Sequence, residues 1–355
     1  FFWSSLVRLP RAGVLLGHAV TSQPRMKLSP LAHIDKAHDD GVWAVCWSVD
    51  PETGEGVLLT GSVDEGVRTW RSTDDGLEMT HSYIGHTLGV VSLATSADGC
   101  LVASSALDSH VRVWNARTHE TRVVIATPPG ENWHLGFIPD STQGGGGSSL
   151  LAVAAGAAKA VKVYDVSEGD SCGAEKITLK LPDAGTSSGF SSGSDGTGCF
   201  AMALAVSNDG SRLVCGAADG VVAVFDVGTG KFLHKLEGHN QCVRDVTFSP
   251  DGKTVFTACD DGHVHVYDAH NRSLLESLSG HEGWVLGVSA SRDGNALATC
   301  GADAKVKLWD IRERRCAQTS SSQKEAVWGV AFGGTSDVLA TVSDDKSVAT
   351  FQYVA

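Results

Sequence analysis

The sequence predicts an all-β protein, a closed ring of seven four-stranded sheets. Three observations carry that expectation. Short alternating runs end in an aromatic residue, usually followed by Asp or Asn, at Trp70, Trp114, Tyr164, Phe225, Tyr267, Trp309 and Phe351. Six residues before each aromatic stands Asp64, Asp108, Ala158, Asp219, Asp261, Asp303 or Asp345, so six of the seven units keep a carboxylate there. Finally, 41 glycines against nine prolines in 355 residues suit tight turns between short strands, because glycine supplies the positive φ such turns need.

In chain order, residues 1–27 differ from everything that follows. Arg8, Arg11, Arg25 and Lys27 stand with no acid before Asp35, the bias of a targeting peptide, and the apolar run Val14 to Leu16 is too short to span a bilayer. This stretch is read as an extension outside the ring, a targeting segment or an upstream artefact, and the ring itself as 28–355. LAHIDKA (31–37) comes next. The last unit stops at FQYVA after its third strand and needs a fourth, so this N-terminal strand is expected to join the last sheet and close the ring, covering an edge that could otherwise template aggregation.

The aromatics are spaced 44, 50, 61, 42, 42 and 42 residues apart. A Gly-His pair (His86, His239, His281) lies 22 residues before its Asp, and His38 lies 26 before Asp64. From Gly280 the unit reads WVLGVSAS, an Asp293-Gly294 turn, ALATC, the Asp303 turn, VKLWDI, and a fourth strand leading onward. The two long spacings hold the Gly/Ser-rich insertions 141–149 and 182–198, read as surface loops that accept changes in length.

The Gly-His and Trp-Asp marks at a period of 40 to 45 residues identify the chain as resembling the WD-repeat family, whose fold is a seven-bladed WD-repeat β-propeller; matching marks run from 38 to 351. In that family a histidine, a Ser or Thr, the turn Asp and the strand-three aromatic form a buried hydrogen-bonded chain within a blade. The resemblance assigns that structural role to His38, Thr60, Asp64 and Trp70; to His86, Ser104, Asp108 and Trp114; to His239, Thr257, Asp261 and Tyr267; and to His281, Thr299, Asp303 and Trp309. Units three and four depart, with Ala154, Ala158 and Cys215 in place of network residues, so those blades are expected to be less rigid.

Catalytic chemistry is not expected. The sequence carries no Gly-x-Ser-x-Gly elbow, no phosphate-cradling loop and no His-Glu-x-x-His run. CDDGHVHVYDAH (259–270) offers seven possible metal ligands, but the repeat accounts for most of them and the spacings match no common zinc site, so neither a metal nor a cofactor is expected. Nine cysteines without a C-x-x-C pair read as reduced, mostly buried small hydrophobes. A formal charge of -13 without a basic stripe disfavours direct nucleic-acid binding, and no membrane association is expected.

What remains is surface. Aligned first strands place Trp43, Val91, Trp133, Met202, Arg244, Leu286 and Trp328 at one equivalent position near the channel rim, with Trp284 two residues before Leu286. Trp and Arg are enriched among interface hot spots, while the innermost strands also bury such residues between blades. Both readings stand for each residue; recurrence of large groups at one position favours partner binding.

Longer stretches, KAHDDGVWAVCW (36–47), GHTLGVVSLATS (85–96), SSALDSHVRVW (104–114), LHKLEGHNQCVRDVTFSPDG (233–252), TACDDGHVHVYD (257–268), LSGHEGWVLGV (278–288) and EAVWGVAF (325–332), resemble the small WD-repeat subunits of the superkiller (Ski) RNA-decay complex, shared with the polymerase-associated factor (Paf) transcription complex. The resemblance implies a non-catalytic scaffold in cytoplasm and nucleus. Its partners would be a tetratricopeptide-repeat subunit and an RNA helicase that feed mRNA to the exosome, and Paf subunits acting in transcription elongation. The alternative is a substrate receptor of a cullin-type ubiquitin ligase.

Overall fold

The computed structural model describes residues 26–73, 76–139, 150–182, 200–334 and 337–355. The two Gly/Ser-rich insertions fall outside these residues, apart from Pro182, as do residues 1–25. Seven four-stranded antiparallel sheets form the fold, and in six of them the strands lie in chain order from first to fourth. The first strands are Val42–Val49, Val90–Thr95, Leu135–Ile138, Ala201–Val206, Val243–Phe248, Val285–Ala290 and Val327–Phe332.

The turns explain why these sequences become blades. Between first and second strands, Ser96, Ser207, Ser249 and Ser291 each precede by two residues an Asp-Gly pair whose glycine has φ of 69–71°. The serine hydroxyl takes the N–H of the residue that starts the next strand, as in Leu101 N to Ser96 Oγ at 2.8 Å. A Cβ at Gly99 would lie 1.8 Å from the Val49 carbonyl oxygen of the neighbouring blade, so the position is closed to any other residue. Between second and third strands, the residue after the turn Asp, or after Ala158 in blade three, is left-handed in all seven blades: Glu65, Ser109, Lys159, Gly220, Gly262, Ala304 and Lys346. The Asp accepts the N–H two residues on, at Gly66 (2.9 Å), His110 (3.0 Å) and His263 (2.9 Å), and so holds that conformation.

The core is not one cluster but seven, each filling the wedge between neighbouring blades. One joins Leu59, Val67 and Tyr83 of blade one to Val90, Val102 and Trp114 of blade two. The wedge between blades seven and one holds Val42, Leu58 and Trp70 against Ala340, Val342 and Val348. Each blade is therefore stabilised from both sides, and the ring is complete only when the last wedge is filled.

An N-terminal strand closes the ring, as the sequence implies, but it runs Lys27–Ile34, not 31–37. It pairs antiparallel with Val348–Val354, from Lys27 opposite Val354 to Ile34 opposite Val348, with an irregularity between Pro30 and Ala32. The reason is packing. Leu28 is buried in the wedge between blades six and seven, where Met26 also packs, while Leu31 is exposed. The boundary at 27–28 thus moves outward, since Lys27 already belongs to the last sheet. Among the described cysteines, Cys215, Cys259 and Cys300 are buried.

Candidate functional site: the channel mouth

The structural networks set the stage. In blades one and six the four-membered chain is complete. His38 Nδ1–H donates to Asp64 at 3.0 Å, Thr60 Oγ1–H to His38 Nε2 at 2.8 Å, and Trp70 Nε1–H to Thr60 Oγ1 at 2.8 Å. His281, Asp303, Thr299 and Trp309 repeat it at 3.0, 2.8 and 2.9 Å. Burial opposes the ionised form of Asp64, but donation from His38 and the Asp39 N–H outweighs it and holds the carboxyl well below its usual range.

Two of the expected chains close differently. In blade two His86 links Asp108 (2.9 Å) and Ser104 (2.6 Å), but Trp114 joins by packing, edge-on to His86 at 6.0 Å and tilted over Tyr83 at 4.9 Å. In blade five His239 links Asp261 (2.8 Å) and Thr257 (2.7 Å), while the Tyr267 hydroxyl turns to His265 Nδ1 at 2.9 Å. A phenol carries its O–H at the far end of the ring, whereas an indole N–H sits on the ring flank, so tyrosine cannot serve the same threonine. The grouping of His239, Cys259 and Asp261 is spoken for: both ring nitrogens of His239 are bonded, and the Cys259 thiol faces the Gln241 carbonyl at 3.4 Å.

At the centre, the seven equivalent positions converge on one cavity of about 350 Å³. Trp43, Val91, Trp133, Met202, Arg244, Leu286 and Trp328 all line it. The backbone explains this. In six blades the first strand bulges at this residue, the register slipping between Val42 and Ala44, Val90 and Ser92, Ala201 and Ala203, Val243 and Asp245, Val285 and Gly287, and Val327 and Gly329. In blade three Trp133 N–H donates to the Ala154 carbonyl (3.1 Å) while Ala154 N–H donates to that of His134 (2.8 Å), so there too two residues face one. A bulge re-aims one side chain out of the alternation, here into the channel mouth.

Several rim residues are held by their surroundings. Trp43 and Trp328 pack at 5.3 Å between centroids, and Trp43 Nε1–H donates to Asp344 Oδ1 at 2.8 Å. Arg244 makes a two-pronged bond to Asp260, 2.8 Å on each arm, and its guanidinium lies 5.3 Å over the ring of Trp284. Trp284 itself stands outside the cavity lining and is half exposed. Trp133 packs edge-on against Phe200 at 5.8 Å. Leu286 is 6% exposed, so for that residue the packing role dominates.

Sequence reasoning missed five neighbours. Leu107 lines the same cavity at 44% exposure, and Asp260 and Asp344 occupy the corresponding place, one residue before the turn Asp, where they grip rim residues. That offset is legible in the repeat. Asp245 and His134 are a different matter, because they come together at 3.7 Å from blades five and three, and only the closed ring shows it. The arrangement offers aromatic surface, a neutralised guanidinium and a carboxylate, a binding surface.

Among the described residues no helix is long and apolar enough to cross a membrane. The chain matches the WD domain, G-beta repeat, over residues 29–71, 77–115, 195–226, 230–268, 272–310 and 314–350. The interval between the second and third matches holds the blade in which Ala158 replaces the turn carboxylate. WD repeat-containing protein VIP3 of Arabidopsis thaliana is 43% identical over 63% of this chain and 65% of its own length. WD repeat-containing protein SL1-17 of Schistosoma mansoni is 30% identical over 61% and 62%. Meiotic recombination protein rec14 of Schizosaccharomyces pombe is 28% identical over 55% and 57%. The chain thus spans less than two thirds of the length of these relatives. Six matched repeats and seven blades, with one cavity where their first strands meet, place this chain in the WD40 repeat family, a fold suited to protein-interaction scaffolds.

Proposed function

We propose that the protein is a non-catalytic scaffold subunit that holds segments of partner proteins on its channel mouth. The observation that supports this reading is the convergence of seven equivalent first-strand residues, three of them tryptophans, on a single cavity by a repeated bulge. By the resemblance of residues 36–47, 85–96, 104–114, 233–252, 257–268, 278–288 and 325–332, the partners are a tetratricopeptide-repeat subunit and an RNA helicase of a Ski-type complex acting in exosome-mediated mRNA decay in the cytoplasm. In the nucleus they are Paf-type subunits acting in transcription elongation. RNA is engaged by the partners, since the charge of -13 opposes direct binding.

The test is to purify the tagged chain gently from its own cells and identify its companions by mass spectrometry, comparing wild type with a Trp43→Ala/Trp328→Ala double variant shown to be folded. Helicase, tetratricopeptide or elongation-factor partners should be present with wild type and lost with the variant. A cullin adaptor among the companions would instead support a ubiquitin-ligase substrate receptor, and unchanged companions in the folded variant would sink the rim.

A further inference from the structure

We propose that a cavity between blades one and two, on the face of the ring opposite the channel mouth, takes the free C-terminal end of a partner chain. Arg117 would hold its carboxylate and the apolar floor its last side chain. The turns joining first to second and third to fourth strands line this cavity of about 320 Å³, whereas the Gly-His loops and the rim residues lie at the other ends of the same strands. The size is near the lower end for ligand pockets, roughly 300–1,000 Å³, with room for one end residue and not for a folded element.

Two departures from the repeat build the cavity. In blades two, four, five and six the serine two residues before the Asp-Gly pair caps the next strand, as Ser96 does for Leu101 five residues on. In blade one the turn is longer. Ser48 stands eight residues before its second strand at Gly56, and Asp50 takes the N–H groups of Glu52 (2.9 Å) and Thr53 (3.1 Å). Ser48 is 8% exposed, and its hydroxyl is left buried on the cavity wall without a partner. The second departure is Arg71, which follows the aromatic where Asn115, Asp165, Asp226, Asp268 and Asp310 stand in other blades and ion-pairs with Asp50.

The charge inventory selects the ligand. Arg71 is matched by Asp50, whose carboxyl is held below its usual range by the two backbone N–H groups and by Arg71 itself. Among the described residues Arg117 pairs with no acid, and it stands exposed in the cavity lining. His81 and His119 stack at 3.7 Å between centroids, and Tyr83 O–H donates to His119 Nδ1 at 3.1 Å, which leaves Nε2–H of His119 and the ring nitrogens of His81 for a ligand. Burial and the neighbouring His119 push His81 down from its ordinary value, so it supplies a donor and no charge near pH 7. One unmatched cation beside hydroxyl and imidazole donors suits a monoanion better than a phosphate dianion, which would also face Asp50 and Glu52.

The floor narrows the class further. Val57, Leu59, Tyr83 and Val102 belong to the apolar wedge between the two blades. An Asp or Glu within a peptide would bring backbone amides from both sides toward that floor, which offers them no partner. At a C-terminus the carboxylate and an apolar side chain branch from one carbon, so a single residue meets both walls.

The test uses the full chain and a short N-acetylated alanine peptide ending in leucine, supplied as the free acid, as the C-terminal amide, or with serine in place of the leucine. Binding is read from the ring-proton signals of His81 and His119. The free acid should bind about tenfold more tightly than either control. Arg117→Gln, at an exposed position, should abolish that preference, and Glu52→Gln should strengthen binding of the free acid about threefold by removing like charge from the wall. The Trp43→Ala/Trp328→Ala protein should bind it as the wild type does. Equal binding of acid and amide, or a preference kept in Arg117→Gln, would overturn the carboxylate site. Free N-acetyl-leucine binding as tightly as the peptide would overturn the chain-end source. Loss of binding in the folded Trp43→Ala/Trp328→Ala protein would move the chain end to the channel mouth and sink this site, as would no binding of any probe; the companions of the wild-type protein decide the scaffold reading separately.

Discussion

Trp43 and Trp328 meet at 5.3 Å where the first blade joins the seventh, yet only one of the two indoles is satisfied: Trp43 donates to Asp344, while Trp328 Nε1 is buried without a partner. The pair therefore separates packing from hydrogen bonding at a single spot. Trp43→Phe should cost about 1 kcal/mol through the lost bond and the acceptor left behind, whereas Trp328→Phe should change stability by less than about 0.5 kcal/mol. Chemical denaturation of the two single variants checks this, and an equal loss in both would mean that the indole volume, not the bond to Asp344, is what matters.

The intact four-membered chains of blades one and six predict a contrast with blade two. Trp309→Phe removes the bond to Thr299 and should destabilise by about 1 kcal/mol, while Trp114→Phe, with no such bond to lose, should show only the cost of a smaller ring. Asp108→Ala and Asp303→Ala strand a histidine and several backbone N–H groups, and each should cost roughly 1–3 kcal/mol. Melting curves give these values. Partner binding by the still-folded fraction should persist, and its loss at unchanged stability would make these residues part of the interface.

The repeat was legible because its marks are local: a turn Asp and a left-handed residue after it answer to neighbours within one hairpin, and six of seven survive in the sequence. The closing strand was legible in existence but not in extent. Its register is set by Leu28 entering a wedge built from residues near the other end of the chain. The rim positions could be aligned because each first strand bulges at the same place, although the bulge itself has no mark of its own. Tyr267 misled because aromatic identity was read as equivalence, while hydrogen-bond reach differs between phenol and indole. Asp245 and His134 could not be paired from sequence, since nothing local relates the first strands of blades three and five.

Blade five should make stability depend on pH. His265 is buried, stacks on His239 at 3.8 Å and touches the Tyr267 hydroxyl; burial first, and then the neighbouring His239, push it down to about 4. The unfolded chain takes up this proton near 6.5 and the folded protein only near 4. The contribution is therefore full above 6.5 and is lost as pH falls between those values, with a slope of up to about 1.4 kcal/mol per pH unit. His86, His239 and His281, also lowered by burial, act in the same direction. Denaturant midpoints at pH 7 and pH 5 should therefore differ less in His265→Gln than in the wild type, and an identical drop would show that His265 takes up its proton over the same pH range in both states.

Ring closure gives the last prediction. Gln318, on the outer strand of blade six, clamps Leu28 of the closing strand from both sides: the Leu28 N–H donates to Oε1 at 2.8 Å, and Nε2–H donates to the Leu28 carbonyl at 3.0 Å. This joins the first strand to a blade other than the one it completes, so the clamp resists peeling of the edge. Gln318→Ala should lower stability by about 1–2 kcal/mol, from two lost bonds that are partly replaced by water. Leu28→Asp adds a charge inside the wedge and should release the strand, uncovering the third strand of the last sheet. Hydrogen exchange should then rise first along Val348–Val354, and light scattering should show association growing with protein concentration. Uniform exchange across all blades in Leu28→Asp would mean that the ring opens as a whole, and that the clamp does not act locally.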